Sequence, residues 1–198
     1  QAQNIATDLR QAKKPALVTG SNSDDPQLLA ACLRIALLLQ QNNQQAGFYC
    51  ANGQVNSLAL GLLAEKAQGL DSLLQRLESK PPSTLVVMET DLYRYFSAEK
   101  LNPLLDKVKH IIVLDQLLTN TVKTADLVLP VSSFAETQAC WLSAEGRLQQ
   151  SFATMPAIEA RLSSFQWLQT LTGLHTNDQA MKWCADSFPA LAPLAQFI

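Results

Sequence analysis

The 198-residue sequence predicts an α/β fold: a doubly wound, Rossmann-like parallel sheet of about five strands flanked by helices, then an irregular segment and two C-terminal helices. Three observations carry this. Ser83–Met88, His110–Asp115 and the shorter Leu127–Pro130 are continuous runs of mostly apolar, often β-branched residues. Runs that do not alternate belong to strands covered on both faces, as in parallel sheets. Helical patterns separate the runs at the spacing of βαβ units, whose crossovers are right-handed. A hydrophobic content of 47% over this length suffices for a substantial core.

In chain order, a short polar helix is expected around Asn4–Ala12. Pro15–Gly20 reads as a buried strand ending in a glycine turn. Asp25 is placed to cap the next helix and Pro26 suits its first position. That helix, Leu28–Gln40, is apolar on nearly every face and must be covered on several sides. Gly47–Cys50 is a short strand, and a loop with one helical turn follows through Gly69. Asp71 is expected to cap a helix that places Leu73, Leu74 and Leu77 on one face and stops at Lys80 and Pro81-Pro82. Between the next two strands, Asn102-Pro103 is expected to open a helix through Leu104, Leu105 and Val108. Periodicity fails from Gln138 to Phe152, which suggests an irregular or hairpin segment. Of the closing helices, one runs from Ser163 or Ser164 to Gly173 with Phe165, Leu168 and Leu171 facing in. The other starts near Asn177 and aligns Met181, Cys184 and Phe188. Gln40–Gln45 reads as a solvated helix end.

Composition excludes several functions. A net charge of −2 from 15 basic and 17 acidic residues does not support binding to nucleic acid or anionic lipid. No apolar stretch approaches the length of a spanning helix, so no direct membrane insertion is expected. Cys32, Cys50, Cys140 and Cys184 are scattered singly, and only His110 and His175 could assist them, which is not the spacing of zinc or iron–sulfur ligands. They read as reduced, mostly buried thiols of a cytoplasmic protein. The start at Gln1-Ala2-Gln3, without methionine or signal pattern, reads as a boundary inside a longer protein.

Ligands of open parallel sheets sit beyond the carboxyl ends of the strands. The residues expected there are Gly20–Ser23, Glu89-Thr90-Asp91, and Asp115 with Thr119. Gly20–Ser23 is an anion site or a plain capped turn, and Asp24 and Asp25 disfavour phosphate. Glu89 and Asp91 are either paired carboxylates for acid–base work or helix caps. Asp115 and Thr119 either hold the polar edge of a nucleotide or cap a turn. No serine, cysteine or lysine has a credible histidine partner, so no catalytic residue is assigned. Glu145 and Arg147 bracket Gly146 as an exposed pair or as a buried anchor. Trp141, Trp167 and Trp183 suit core or interface packing.

The stretch Asp115-Gln116-Leu117-Leu118-Thr119-Asn120-Thr121-Val122-Lys123-Thr124-Ala125-Asp126-Leu127-Val128-Leu129-Pro130 resembles a signature of the molybdopterin oxidoreductase family: an acid after a strand, a T-x-T turn, then A-D-x-V-L-P. Phe134-Ala135-Glu136 and Ser143-Ala144-Glu145-Gly146-Arg147-Leu148-Gln149 resemble its acidic helix and its N-x-E-G-R-x-Q segment. Glu159-Ala160-Arg161, shortly before Phe165 and Trp167, resembles its G-E-A-R stretch. The likeness is strong over 110–168. Back to Pro15 it rests on the order of elements.

The resemblance implies one of two roles. Members such as formate dehydrogenases hold a bis-molybdopterin guanine dinucleotide, and the large peripheral-arm subunits of respiratory NADH–quinone oxidoreductases carry a similar domain generally without it. Departures from the pattern favour the second. Met88-Glu89-Thr90-Asp91 stands where cofactor-bearing members have G-x-N-P, and a methionine side chain would obstruct the backbone approach that glycine permits. Glu136-Thr137-Gln138-Ala139-Cys140 lacks the glycine of E-x-x-G-T, and Ser143 replaces an asparagine.

The resemblance therefore implies a non-catalytic scaffold, 1–150 an α/β core and 151–198 a helical extension. It would hold other subunits and the N-terminal part of the same chain at the inner face of a membrane, with iron–sulfur clusters outside this region. Trp141, Arg147 and Phe197-Ile198 are then candidate interface elements. The alternative is an active molybdopterin enzyme in which Asp115, Thr119, Glu136 and Arg147 contact the guanine nucleotide.

Overall fold

The computed structural model describes residues 1–20, 26–42, 45–64, 68–173 and 176–197. It is an α/β protein with parallel sheets, as the sequence predicts, and it divides into two compact units. One comprises 1–61 with 141–149, the other 62–140 with 150–198. The expected cap Asp25, the turn residues Ser21–Ser23, and His175 lie outside the described residues, as do Asn43 and Gln44 of the expected helix end.

The first unit runs α1 (Ala2–Gln11), β1 (Ala16–Gly20), α2 (Pro26–Gln41) and β2 (Gly47–Ala51), then enters α3 (Ser57–Leu63). β1 and β2 pair in parallel, Ala16 opposite Gly47 through Gly20 opposite Ala51. Ala36 and Leu39 of α2 are buried and Leu29 and Cys32 half-buried. Their spacing of three and four residues makes one stripe, and α2 packs on both strands. The expectation that β1 is a buried strand needs correcting, because Val18 is 72% exposed. Two strands under one helix have a single covered face, and Val18 points away from it.

The second unit holds α4 (Leu70–Ser79), β3 (Thr84–Met88), a 3₁₀ turn at Leu92–Arg94, α5 (Ala98–Leu105), β4 (His110–Asp115), α6 (Asn120–Lys123) and β5 (Leu127–Pro130). The three strands are parallel in the order β3–β4–β5, with Val87 opposite Val113 and Val113 opposite Val128. Central β4 is covered on both faces as expected, but Val86, Met88, Leu127 and Val128 remain partly or well exposed, so the flanking strands are not. Leu74 and Leu77 of α4, Leu101, Leu104 and Leu105 of α5, and Val113 form the heart of the core. Leu77, Leu101 and Val113 are fully inaccessible. Each such leucine contributes roughly 1.5–3 kcal/mol by burial.

Two expected helix starts are corrected. Gly69, in extended geometry, stands at the cap of α4, and Asp71 lies in the first turn, where its charge suits the helix dipole. α5 opens at Ala98 after Ser97, so Pro103 sits inside it rather than at its head. Its fixed φ is compatible with a helix, but an interior proline gives up one N–H bond and its ring crowds the carbonyl four residues back.

β6 (Ala139–Leu142) and β7 (Leu148–Ser151) pair across a turn closed by Ser143 N–H on the Arg147 carbonyl and by Gly146 at φ 79. A connection this short permits only an antiparallel pair. The tip groups with the first unit, where Leu142 N–H donates to Asn56 Oδ1 at 2.8 Å.

α7 (Ser164–Thr172) and α8 (Asn177–Ser187) close the second unit, followed by a 3₁₀ stretch at Pro189–Phe197. Both helices carry capping boxes, Ser163 with Gln166 and Thr176 with Gln179. Gly173 ends α7 at φ 68, a conformation that favours glycine. Phe188 is buried as expected, whereas Leu171 is exposed rather than facing in. All four cysteines are half-buried, less than expected, and none forms a disulfide. Burial pushes the Cys140 and Cys184 thiols up.

Candidate functional site

The carboxyl ends of β3, β4 and β5 gather most of the polar residues that the sequence singles out. After β3 the chain turns at Glu89, whose φ of 46 is left-handed. A glutamate held there stores strain of order 1 kcal/mol. It is fixed by its own N–H donating to the Leu114 carbonyl at 2.7 Å and by the Ser164 hydroxyl donating to its carboxylate.

Asp91 is a joint between two turns. Its Oδ1 accepts from the N–H of Tyr93 at 3.2 Å, and from the N–H and hydroxyl of Thr121 at 3.2 and 2.8 Å. Thr121 is fully buried, and its hydroxyl oxygen accepts in turn from Leu92 N–H at 2.8 Å. Desolvation pushes the Asp91 carboxyl up, but the Thr121 hydroxyl and the amides of Tyr93, Thr121 and Asn120 together outweigh it and hold the group below its ordinary value.

Asp115, at the end of β4, is buried and accepts from Leu117 N–H at 3.0 Å, an Asx turn. Thr119 caps α6 by accepting from Val122 N–H at 3.2 Å. Glu136 accepts from Ser133 N–H at 2.7 Å and from Ile158 N–H at 2.9 Å, bonds that hold its carboxyl low. Trp167 donates its indole N–H to the Pro130 carbonyl. The Ser132 hydroxyl, just past β5, is buried without a hydrogen-bond partner among the described residues.

Arg147 belongs to the first unit. It lies at the β6–β7 turn with a side chain 70% exposed, 3.7 Å from Glu145. The exposed reading of that pair is the correct one, and such a pair is worth little.

Sequence reading missed the partners of Glu89 and Asp91. Ser164 and Thr121 lie far along the chain, and only the T-x-T pattern hinted that Thr121 matters. It also missed an open groove of about 730 Å³ lined by Tyr93, Asn102, Asp106, Lys109, Thr124 and Asp126, among others. Its polar groups are largely engaged: Tyr93 Oη donates to Asn102 at 2.7 Å and Asp126 accepts from Ile111 N–H at 2.7 Å. Among the described residues no group of three or more histidine, cysteine or acidic side chains could hold a metal ion, and no helix is long and apolar enough to cross a membrane.

The family model for molybdopterin oxidoreductase matches residues 2–169. The chain belongs to the molybdopterin oxidoreductase family. It is 34% identical over 210 aligned residues to the NADH-quinone oxidoreductase subunit designated G of Shewanella oneidensis, covering 99% of this chain and 23% of that protein. The corresponding protein of Pseudomonas putida is 32% identical, over 96% of this chain and 22% of its own length. That of Escherichia coli K12 is 31% identical over 84% and 19%. The chain thus spans less than a quarter of the curated relatives it matches.

Proposed function

We propose that the chain is a non-catalytic structural domain of the large subunit of an NADH–quinone oxidoreductase. It supports electron transfer from NADH to quinone through iron–sulfur clusters carried elsewhere in the polypeptide. Its partners are the other subunits and the N-terminal part of its own chain, and it works on the cytoplasmic side, peripheral to the membrane. In this reading 1–150 is the α/β core and 151–198 its helical extension. The names of the relatives supply the complex.

The observation that carries the scaffold role is the condition of the strand-end crevice. Asp91, Asp115, Thr119 and Glu136 each spend acceptor oxygens on backbone N–H groups of neighbouring turns. A pterin guanine nucleotide would require Asp115 and Thr119 to turn outward, leaving the Leu117 and Val122 amides without their side-chain acceptors, at about 1–3 kcal/mol for each amide buried in the process. Its pyrophosphate would also meet the carboxylates of Glu89 and Asp91 rather than bare backbone. These residues do not fit that cofactor.

Elemental analysis of the full-length protein for iron, molybdenum and tungsten, with fluorescence of oxidised pterin, tests the reading. Iron without molybdenum, tungsten or pterin is expected. Stoichiometric pterin with either metal would overturn it in favour of an active molybdopterin enzyme, with Asp115, Thr119, Glu136 and Arg147 as ligands.

A further inference from the structure

One sulfur-rich corner of the second unit plays no part in the strand-end site. Cys140 of β6 and Met181 of α8 both belong to this unit, 41 positions apart. The Cys140 thiol donates to the Met181 thioether, with 3.7 Å between the sulfurs. Cys184 stands three residues after Met181 in α8, which brings it onto the same helix face. All of these side chains are half-buried. Ala185 and Phe188, each four residues on from Met181 and Cys184, are buried, so the sulfurs border apolar cover.

A hydrogen bond between two sulfurs is weak, and its proton marks a place where lone pairs of both converge. A cation in place of that proton takes both. Bonds of about 2.3 Å from one ion to sulfurs 3.7 Å apart meet at about 107°, the opening angle of a three- or four-coordinate centre rather than of a linear one. A third donor is then required, and the face of α8 supplies the Cys184 thiol. The donor types choose the ion. Thiolate and thioether sulfur are soft ligands that suit Cu(I), whereas calcium, magnesium and manganese take oxygen. Zinc also takes thiolates, but its sites draw their other ligands from histidine or carboxylate rather than from a thioether.

We propose that Cys140, Met181 and Cys184 form a binding site for a single Cu(I) ion. On binding, each thiol releases its proton to solvent and donates a sulfur lone pair to the metal. The thioether donates without losing a proton, and no electron changes hands. Burial pushes both thiols up, so without metal they are protonated thiols rather than reactive thiolates. The bound ion clips α8 to β6 across the 41 positions that separate Cys140 from Met181. The site lies outside the strand-end crevice and does not depend on the scaffold reading.

The test is an anaerobic titration of the full 198-residue chain with Cu(I) against bicinchoninate, which holds free Cu(I) too low for an isolated thiol such as Cys32 or Cys50. One Cu(I) per chain is expected, with a thiolate-to-copper absorption band in the ultraviolet and X-ray absorption showing a third sulfur neighbour. Met181→Leu, which keeps volume and removes the sulfur, should weaken binding about tenfold, and Cys140→Ser or Cys184→Ser about a hundredfold. Cys32→Ser, in the first unit, should bind as the wild type does. Far-ultraviolet circular dichroism checks the fold of each variant, and where one does not fold, the sulfur count in the wild type decides. Affinity unchanged by Met181→Leu or by Cys184→Ser, loss of binding in Cys32→Ser, or a linear two-sulfur centre would overturn the proposal. So would a wild-type chain that takes no copper from bicinchoninate.

Discussion

β4 and β1 are similar strands with different surroundings. His110–Asp115 is buried at Ile111, Val113, Leu114 and Asp115, because helices and neighbouring strands cover it on both sides. Ala16–Gly20 has comparable apolar content, yet Val18 stands largely in solvent. The difference lies in what each strand is given to pack against. One unit closes a core from its own helices, while the other carries the pattern of an interior layer with half of its cover.

The contrast can be broken most forcefully in the closed core. Leu101→Ala should lower the stability of the second unit by about 3 kcal/mol, since it empties a fully inaccessible site. Urea unfolding followed by peptide-resolved hydrogen exchange would assign the loss. A change confined to the first unit would mean that the core is misplaced.

Asp91→Ala is expected to cost about 2 kcal/mol, because it strips acceptors from Tyr93 N–H and the buried Thr121 at once. The carboxyl of Asp91 is held below its unfolded value of about 3.9, so its contribution is fully present above that pH and disappears as pH falls through the lower folded value. Glu136 has the same sign. The wild-type second unit should therefore lose stability steadily below about pH 4, and the Asp91→Ala profile should be flatter over that range. Parallel profiles would remove Asp91 from the account.

Gly173→Ala, at φ 68 with open space around the position, should cost about 1 kcal/mol through backbone strain alone. The smallest effect belongs to the other side of the comparison. Val18→Thr in the chain 1–198 should change stability by no more than about 0.5 kcal/mol, as expected for a surface position. A loss comparable to that of Leu101→Ala would show that Val18 is covered.

Sequence made the parallel strands legible because a run such as Ile111-Ile112-Val113-Leu114 has few other stable settings. The α7 cap at Ser163 and its stop at Gly173 were legible for the same local reason: each motif satisfies helix-end groups with residues close by. Pro103 misled because proline at a helix head and proline five residues in share one φ, and only the extended Ser97 decides between them. The candidate site was half legible. Asp115 and Thr119 serve turns a few residues away, which local pattern can suggest, and Glu136 does so at Ser133 but also reaches Ile158 far along the chain. Asp91 with Thr121 and Glu89 with Ser164 join positions whose proximity exists only after the sheet has formed. Strand burial was overread at Val18 and Val86 because an apolar run states what a strand requires, not what its own segment supplies.

The side-chain bond from Ser164 to Glu89 also bears on how the second unit would meet a pull at its C-terminal end. Ser164 opens α7, and its hydroxyl reaches a turn 75 positions earlier. Beside it, the Trp167 indole holds the Pro130 carbonyl. These two bonds moor α7 to the carboxyl ends of β3 and β5, so a load applied beyond α8 reaches the sheet through them, and the closing helices peel away before the strands part.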